Sequence, residues 1–133
     1  MLLSQIRNYI ASLRIAEDEH CYSGKLPDKE DKSIGVYHLK QPRKATATPG
    51  GEANKSYGIK SISLLVHWNA DQIQTEKAAL ALQKRLRECR GYEVGQERIK
   101  FIRLYYDEPI SVDTDENGIY EYVIECDVYY EKG

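Results

Sequence analysis

The residues with the clearest potential for chemistry are acidic and lie near the C-terminus. The stretch DTDENG, which begins at Asp113, has the spacing D-x-D-x-N-G with which an EF-hand calcium loop opens. Such a loop needs a bidentate carboxylate at its twelfth position and a helix on each side. The twelfth residue is Ile124, and Glu125 comes one position too late. The sequence therefore does not predict a calcium loop, although Asp113 and Asp115 could hold a cation weakly at the surface.

The residues that follow alternate in polarity, as in a β-strand. From Ile119 to Tyr130 the even positions are Tyr, Tyr, Ile, Cys, Val and Tyr, and acidic residues recur at the odd positions. A period of two predicts a strand with one buried and one solvated face. Asn117 and Gly118 adopt positive φ readily, so we interpret DTDENG as the turn before this strand. The acidic residues expected on the solvated face are Glu121, Glu125, Asp127 and Glu131.

The other residues with catalytic potential form no known constellation. The sequence has no G-x-S-x-G, no glycine-rich phosphate loop after a strand and no H-E-x-x-H. An odd number of cysteines without C-x-x-C argues against a disulfide framework or a structural zinc site. His38 and His67 could face each other on neighbouring strands, but without a nearby carboxylate they would make a poor metal site. The three cysteines are Cys21, Cys89 and Cys126. The sequence therefore predicts no catalytic residue, no metal and no cofactor.

Composition is typical of an ordinary globular protein. The chain has 133 residues, of which 41% are hydrophobic and 30% are charged, which suits one domain. A net charge of −2 favours neither nucleic acid nor a membrane as partner, so direct nucleic-acid contact is not expected. No apolar run approaches the roughly 18 residues of a membrane span. The N-terminus shows no signal peptide, which predicts a cytoplasmic site of synthesis and assembly.

Charge is unevenly distributed along the chain. Eight acidic residues and no basic one lie between Asp107 and Asp127, whereas five basic residues and one acidic residue lie between Lys40 and Lys60. Opposed charges on one molecule suit head-to-tail contact between identical subunits. Two solvated loops of opposite sign are the alternative interpretation. The candidate residues of a subunit or partner interface are Lys40, Arg43, Lys44, Lys55, Asp113, Asp115 and Glu116.

Two helices and four strands are predicted to position these residues. Apolar spacings of three and four predict one helix over residues 1–15 and a second from a cap at Asn69 to about Cys89. Residues 16–32 are interpreted as a loop, and residues 41–56, with two prolines and two adjacent glycines, as a long flexible loop. The strands are predicted over residues 33–40, 57–68, 98–106 and 119–130. The second of them alternates: one face carries Ile62, Leu64, Val66 and Trp68, and the other carries Ser61, Ser63 and His67.

The order of these elements predicts an α+β fold. The strand over residues 98–106 is apolar on both faces, so we expect it to be central. The strand–helix–strand in the middle suggests a crossover, and the last two strands are expected to be antiparallel neighbours. We therefore expect a single domain over residues 1–133, with a mainly antiparallel sheet of about four strands. The N-terminal helix and the mid-chain helix pack on that sheet.

Three strings in this order resemble a known family. They are SIGVYHLKQPRK, then SISLLVHWN followed by QIQTEKAALALQKRLREC, and finally DEPISVDTDENGIYEYVIECDVYYEKG. The sequence is similar to the minor capsid or tail-terminator proteins of long-tailed phages and prophages, which are also described as tail-completion or head-tail joining proteins. The similarity covers roughly residues 33–133, and the N-terminal helix matches in position only.

The resemblance implies a structural protein without catalytic residues. Such proteins assemble into a ring, usually of six subunits, that caps the tail tube and presents a surface to the head connector. The implied partners are other copies of this chain, the tail-tube protein and the head connector proteins. The implied location is the head-tail interface of the virion, after assembly in the cytoplasm of a bacterial host. Residues 41–56 would then contact neighbouring subunits or the tube.

Two other classes of function remain open from the sequence. One is a small cytoplasmic cation-binding or enzymatic domain that uses the acidic turn 113–121, with Asp113, Asp115 and Glu121 as its polar groups. The other is an adaptor whose edge strand accepts another chain. Micromolar calcium binding would favour the first class, and peptide binding without any ring would favour the second.

Overall fold

A computed structural model describes residues 1–27, 31–40 and 57–132 of the chain. The predicted loop over residues 41–56 lies outside these residues. The helices are α1 (Leu3–Ser12) and α2 (Gln72–Arg87), and a short 3₁₀ helix covers Asp18–His20. The strands are β1 (Cys21–Ser23), β2 (Ser33–His38), β3 (Tyr57–His67), β4 (Tyr92–Val94), β5 (Glu97–Leu104), β6 (Ile110–Thr114) and β7 (Tyr120–Glu131).

All seven strands form one sheet around β7. The order is β1-β2-β3-β7-β5-β4, and β6 also pairs with β7. One edge of β7 pairs with β3 along eleven residues, and β5 and β6 share the other edge. Every pairing is antiparallel except that of β1 with β2. The α+β class and the mainly antiparallel sheet are thus confirmed, with more strands than the four predicted.

The three additional strands are short. β1 and β4 have three residues each and β6 has five, so their alternation is too brief to be recognised in a sequence. β1 lies within the segment that was predicted to be a loop over residues 16–32. None of the helices in the described ranges has the length and apolar character of a membrane span.

The prediction that the third long strand is central was wrong. That strand, β5, has β7 on one side and only the three-residue β4 on the other, whereas β7 itself occupies the centre. Ile99 and Ile102 of β5 are buried in the core, but Phe101 is 39% exposed on the other face. Phe101 stacks on Tyr129 with ring centroids 4.4 Å apart. The apolar residues on both faces therefore reflect this aromatic pair rather than burial on both sides.

Both helices contribute to one hydrophobic core that covers a single face of the sheet. Ile62, Leu64 and Val66 of β3 are fully buried, as the predicted alternation requires. Their partners across the sheet are Cys126, Ile124 and Tyr122 of β7, which are also buried. The helices supply Ile6, Tyr9 and Ile10 from α1 and Ala79, Leu82 and Leu86 from α2.

The cap of helix α2 lies two residues later than the predicted cap, Asn69. The cap is Asp71, whose carboxylate accepts a hydrogen bond from the backbone N–H of Gln74 at 3.1 Å. Asn69 supports this cap, because its Oδ1 accepts the backbone N–H of Asp71 at 3.0 Å. Since β3 and β5 are both antiparallel to β7, they are parallel to each other, and α2 is the predicted crossover between them.

Candidate functional site

The acidic stretch forms a closed turn between β6 and β7. Oδ1 of Asp115 accepts the backbone N–H groups of Asn117 and Ile119 at 2.8 and 2.9 Å. The N–H of Gly118 donates to the carbonyl of Asp115, and Gly118 has a φ of 80°. This arrangement confirms the predicted turn. Ile124, the residue in the twelfth position of a calcium loop, is 2% exposed in the core, and strands rather than helices flank the turn.

Asp113 does not share this geometry. It is exposed, has a φ of 61°, and lies where the pairing of β6 with β7 shifts register between Ser111 and Thr114. In the described part of the chain, the group of possible metal ligands that includes Asp115 does not include Asp113. The set of Asp113, Asp115 and Glu121 that the cation-binding alternative requires is therefore not assembled.

The third residue next to Asp115 and Glu121 is His67 and not Asp113. Its Nδ1 lies 2.9 Å from Oε2 of Glu121 and 3.8 Å from Oδ2 of Asp115. His67 is the last residue of β3 and pairs directly with Glu121 of β7. It is only 4% exposed, whereas the two carboxylates keep about a fifth of their side-chain surface exposed. A nearly buried imidazole thus faces two partly solvated carboxylates.

The prediction that His67 faces His38 was wrong. In the antiparallel pairing of β2 with β3, His67 lies opposite Ser33 and His38 lies opposite Ile62, so the two histidines lie at opposite ends of the paired region. The alternation of β3 had placed His67 on the face away from the core. Knowledge of the register between β3 and β7 would have been needed to find Glu121 as its partner.

A cavity of about 440 Å³ adjoins the His67 cluster, and its lining also includes Leu26, Pro27 and Leu65. Tyr37 lies close to this cluster. Burial raises the pKa of the Tyr37 phenol, a hydrogen bond with the backbone of Leu26 lowers it, and the negative charge of Glu121 raises it further. The cluster and its cavity together offer one nitrogen ligand, two carboxylates and access from solvent. Such a set of ligand atoms suits a cation.

The prediction that Asp127 lies on the solvated face of β7 was wrong. It is 2% exposed, and its Oδ1 accepts hydrogen bonds from Oγ of Ser61 and the phenol of Tyr105, both at 2.7 Å. Ser61 lies on the neighbouring strand β3, and Tyr105 follows β5. The carboxylate is buried because both neighbours supply hydroxyl donors, a feature that alternation alone does not reveal. Asp127 therefore contributes no charge to the surface.

The structure describes four of the seven predicted interface residues. Lys40, Asp113 and Glu116 are exposed, and Asp115 is partly buried by its turn and by His67. The remaining three, Arg43, Lys44 and Lys55, lie outside the described residues.

The cysteines are free and buried. Cys21, Cys89 and Cys126 are 3%, 7% and 0% exposed. Burial raises the pKa of all three thiols, most strongly that of Cys126. Thiols that are shielded from solvent and protonated are poor nucleophiles.

Comparison with known proteins identifies the family. No curated protein matches the chain significantly. The sequence model of a family described as "Bacteriophage tail terminator protein" matches residues 9–132. The matched segment includes all seven strands, helix α2 and the acidic turn. Since nearly the whole chain is matched, the chain belongs to the bacteriophage tail terminator family.

Proposed function

We propose that this chain closes into a ring of six subunits that caps the phage tail tube, ends its polymerisation and joins it to the head connector. The observation that carries the proposal is the family match over residues 9–132, which gives the chain a role in phage tail morphogenesis. The same match makes it a component of the virion and favours a structural role over an enzymatic one. The ring, its partners and its location at the head-tail interface are the proposed details.

A ring requires that two different surfaces of each subunit meet. Such a head-to-tail interface closes after a fixed number of subunits, whereas a two-fold dimer pairs each surface with itself. Asp113 and Glu116 are exposed at the acidic turn and provide one charged surface. Lys40, which directly precedes residues 41–56, is exposed and begins a second surface of basic charge. We propose that Arg43, Lys44 and Lys55 extend this basic surface.

Asp115 has a different part in the proposal. Its Oδ1 holds the turn closed and its Oδ2 faces His67, so Asp115 shapes the acidic surface instead of contacting a neighbour. Of the three acidic candidates, we therefore propose that only Asp113 and Glu116 contact a neighbouring subunit. Complementary charges of this kind select the correct neighbour and raise the rate of association more than they raise affinity.

An adaptor that accepts a further strand has less support. The strands at the two ends of the ordered sheet, β1 and β4, have three residues each. Edges this short offer few backbone groups to an added strand.

Charge reversal on each surface tests the proposed ring. The acidic variant carries Asp113→Lys and Glu116→Lys, and the basic variant carries Lys40→Glu, Arg43→Glu and Lys44→Glu. Native mass spectrometry of the wild type at high concentration, and with the tail-tube protein present, should show a closed ring. Each variant alone should fail to assemble, because like charges then meet at every interface. High salt should weaken the wild-type ring as well.

Two further samples make the test specific. A chain that carries all five reversals should assemble again, because every interface regains opposite charges. An equimolar mixture of the two variants should form rings in which they alternate, which only an even number of subunits permits. Single variants that assemble like the wild type, or a stable two-fold dimer, would contradict the proposed interface.

A further inference from the structure

We propose that His67, Asp115 and Glu121 form a binding site for a divalent first-row transition metal ion, with Zn²⁺ and Mn²⁺ as the ions to test. The inference does not depend on ring formation, because it rests on side chains that lie within one subunit. It also differs from the calcium loop that the sequence DTDENG suggests, since that loop would use Asp113 and would not use a histidine.

The ligand atoms are already close together. One atom from each of the three side chains lies within 4.8 Å of the other two, and the shortest separation is the 2.9 Å between Nδ1 of His67 and Oε2 of Glu121. Metal bonds to nitrogen and oxygen of about 2.0–2.2 Å place two ligands of one ion roughly 3–3.5 Å apart. A separation of 4.8 Å must therefore shorten by roughly 1.3–1.8 Å. Rotation of a partly exposed carboxylate provides a change of that size.

Backbone structure holds each ligand in place. Two backbone N–H groups bind Oδ1 of Asp115, so its Oδ2 remains directed to His67. Glu121 lies directly opposite His67 in the pairing of β7 with β3. The ligands thus come from a strand end, a closed turn and a central strand, which limits the rearrangement that metal binding requires.

The imidazole of His67 makes its polar contacts with the two carboxylates through Nδ1. The imidazole is 4% exposed, and within the described ranges its Nε2 is buried without a hydrogen-bond partner. Its Nδ1 is the nitrogen that faces Asp115 and Glu121. A buried nitrogen beside two carboxylates, with a cavity of about 440 Å³ next to them, provides both ligands and space for water to complete the coordination.

The chemistry of the ligands selects the class of ion. Ca²⁺ and Mg²⁺ prefer oxygen ligands, whereas imidazole nitrogen favours zinc and the other first-row transition metals. The two carboxylates match the charge of a divalent ion. In the part of the chain that the structure describes, neither carboxylate forms an ion pair with Lys or Arg that would compete with the metal.

Thermal unfolding of the full chain with ZnCl₂, MnCl₂ or CaCl₂ tests the site. At about a hundredfold excess over Kd, an ion that binds only the folded chain should raise Tm by roughly 5–10 °C. We expect this rise with Zn²⁺ or Mn²⁺ and not with Ca²⁺. Asp115→Asn and Glu121→Gln should abolish it, and Asp113→Asn, the matched control, should retain it. Asp115→Asn keeps an oxygen that can accept the turn hydrogen bonds, so this variant should fold.

Cobalt spectroscopy identifies the ligands independently of stability. Co²⁺ bound at this site should give d–d absorption bands that differ from those of free Co²⁺, without a thiolate charge-transfer band, and His67→Gln should abolish this difference. Co²⁺ that binds a cysteine would show that charge-transfer band instead. The proposal is overturned if neither Zn²⁺ nor Mn²⁺ raises Tm, if Asp115→Asn and Glu121→Gln both retain the rise, or if the cobalt spectrum shows thiolate ligation.

Discussion

Replacement of Tyr105 by Phe tests how a buried carboxylate stabilises the sheet. The phenol of Tyr105, which is 8% exposed, donates a hydrogen bond of 2.7 Å to Oδ1 of Asp127, which is 2% exposed. Oγ of Ser61 donates to the same oxygen at 2.7 Å. These hydrogen bonds connect β3 and the end of β5 to the central strand β7. Tyr105→Phe removes one of the two donors and keeps the aromatic ring.

The expected loss follows from the type of hydrogen bond. A hydrogen bond to a charged group contributes about 1.5–3 kcal/mol to the free energy of unfolding, compared with about 0.5–1.5 kcal/mol for a neutral pair. Tyr105→Phe should therefore cost about 1.5–3 kcal/mol, out of a total stability on the order of 5–15 kcal/mol. For a chain of this length, the same loss lowers Tm by roughly 5–12 °C.

Urea unfolding monitored by tryptophan fluorescence measures this loss. Trp68 is the only tryptophan and packs against the core, so its emission should report global unfolding. The matched control is Tyr92→Phe, because Tyr92 is 36% exposed and the substitution keeps its ring contact with Tyr9. We expect the control to change stability by less than about 0.5 kcal/mol.

The double variant Tyr105→Phe/Ser61→Ala sharpens the test. It leaves Oδ1 of Asp127 without either hydroxyl, so its cost should exceed the sum of the two single costs. The reasoning is refuted if Tyr105→Phe costs no more than the Tyr92→Phe control, or if the two single losses simply add.

Two further predictions concern the core and its thiols. Leu64→Ala should cost about 2–5 kcal/mol in urea unfolding, because Leu64 is fully buried, whereas Ile73→Ala, at a position that is 62% exposed, should cost less than about 0.5 kcal/mol. Equal losses would contradict the assigned core. Stability should also fall as the pH rises above about 8.5, where unfolded thiols ionise, because burial raises the pKa of Cys126 in the folded chain. Below that pH the stabilising contribution of the buried Cys126 thiol is complete. At pH 9.5, ionisation of this thiol in the unfolded chain should lower the free energy of unfolding by about 1.4 kcal/mol. If the free energy of unfolding of Cys126→Ala falls between pH 7 and 9.5 by as much as that of the wild type, this assignment is contradicted.

The long strands and the acidic turn could be predicted because their signals are local. Period-two alternation identified the buried faces of β3 and β7, and Asn117-Gly118 identified the turn. The short strands β1, β4 and β6 gave no such signal, since three to five residues carry too little alternation. Their positions depend on pairing with longer strands that lie elsewhere in the chain.

The His67 cluster could not be predicted because it depends on the register between distant strands. His67 and Glu121 are 54 positions apart, and a shift of the β3/β7 pairing by one residue would separate them. The burial of Asp127 has the same origin, since Ser61 and Tyr105 reach it from neighbouring strands. Local sequence specifies which face a residue occupies, whereas the side chain opposite it is a property of the assembled sheet.

The most direct test of the proposed function is the length of tail tubes that polymerise in the presence of this chain. Purified tail-tube protein from the same phage should be polymerised with and without the chain, and tube lengths measured by negative-stain electron microscopy. We expect tubes that stop growing and carry a ring at one end when wild-type chain is added, and no such effect with the Asp113→Lys/Glu116→Lys variant. Tubes that lengthen equally with and without the wild-type chain, and that carry no terminal ring, would contradict the proposed function.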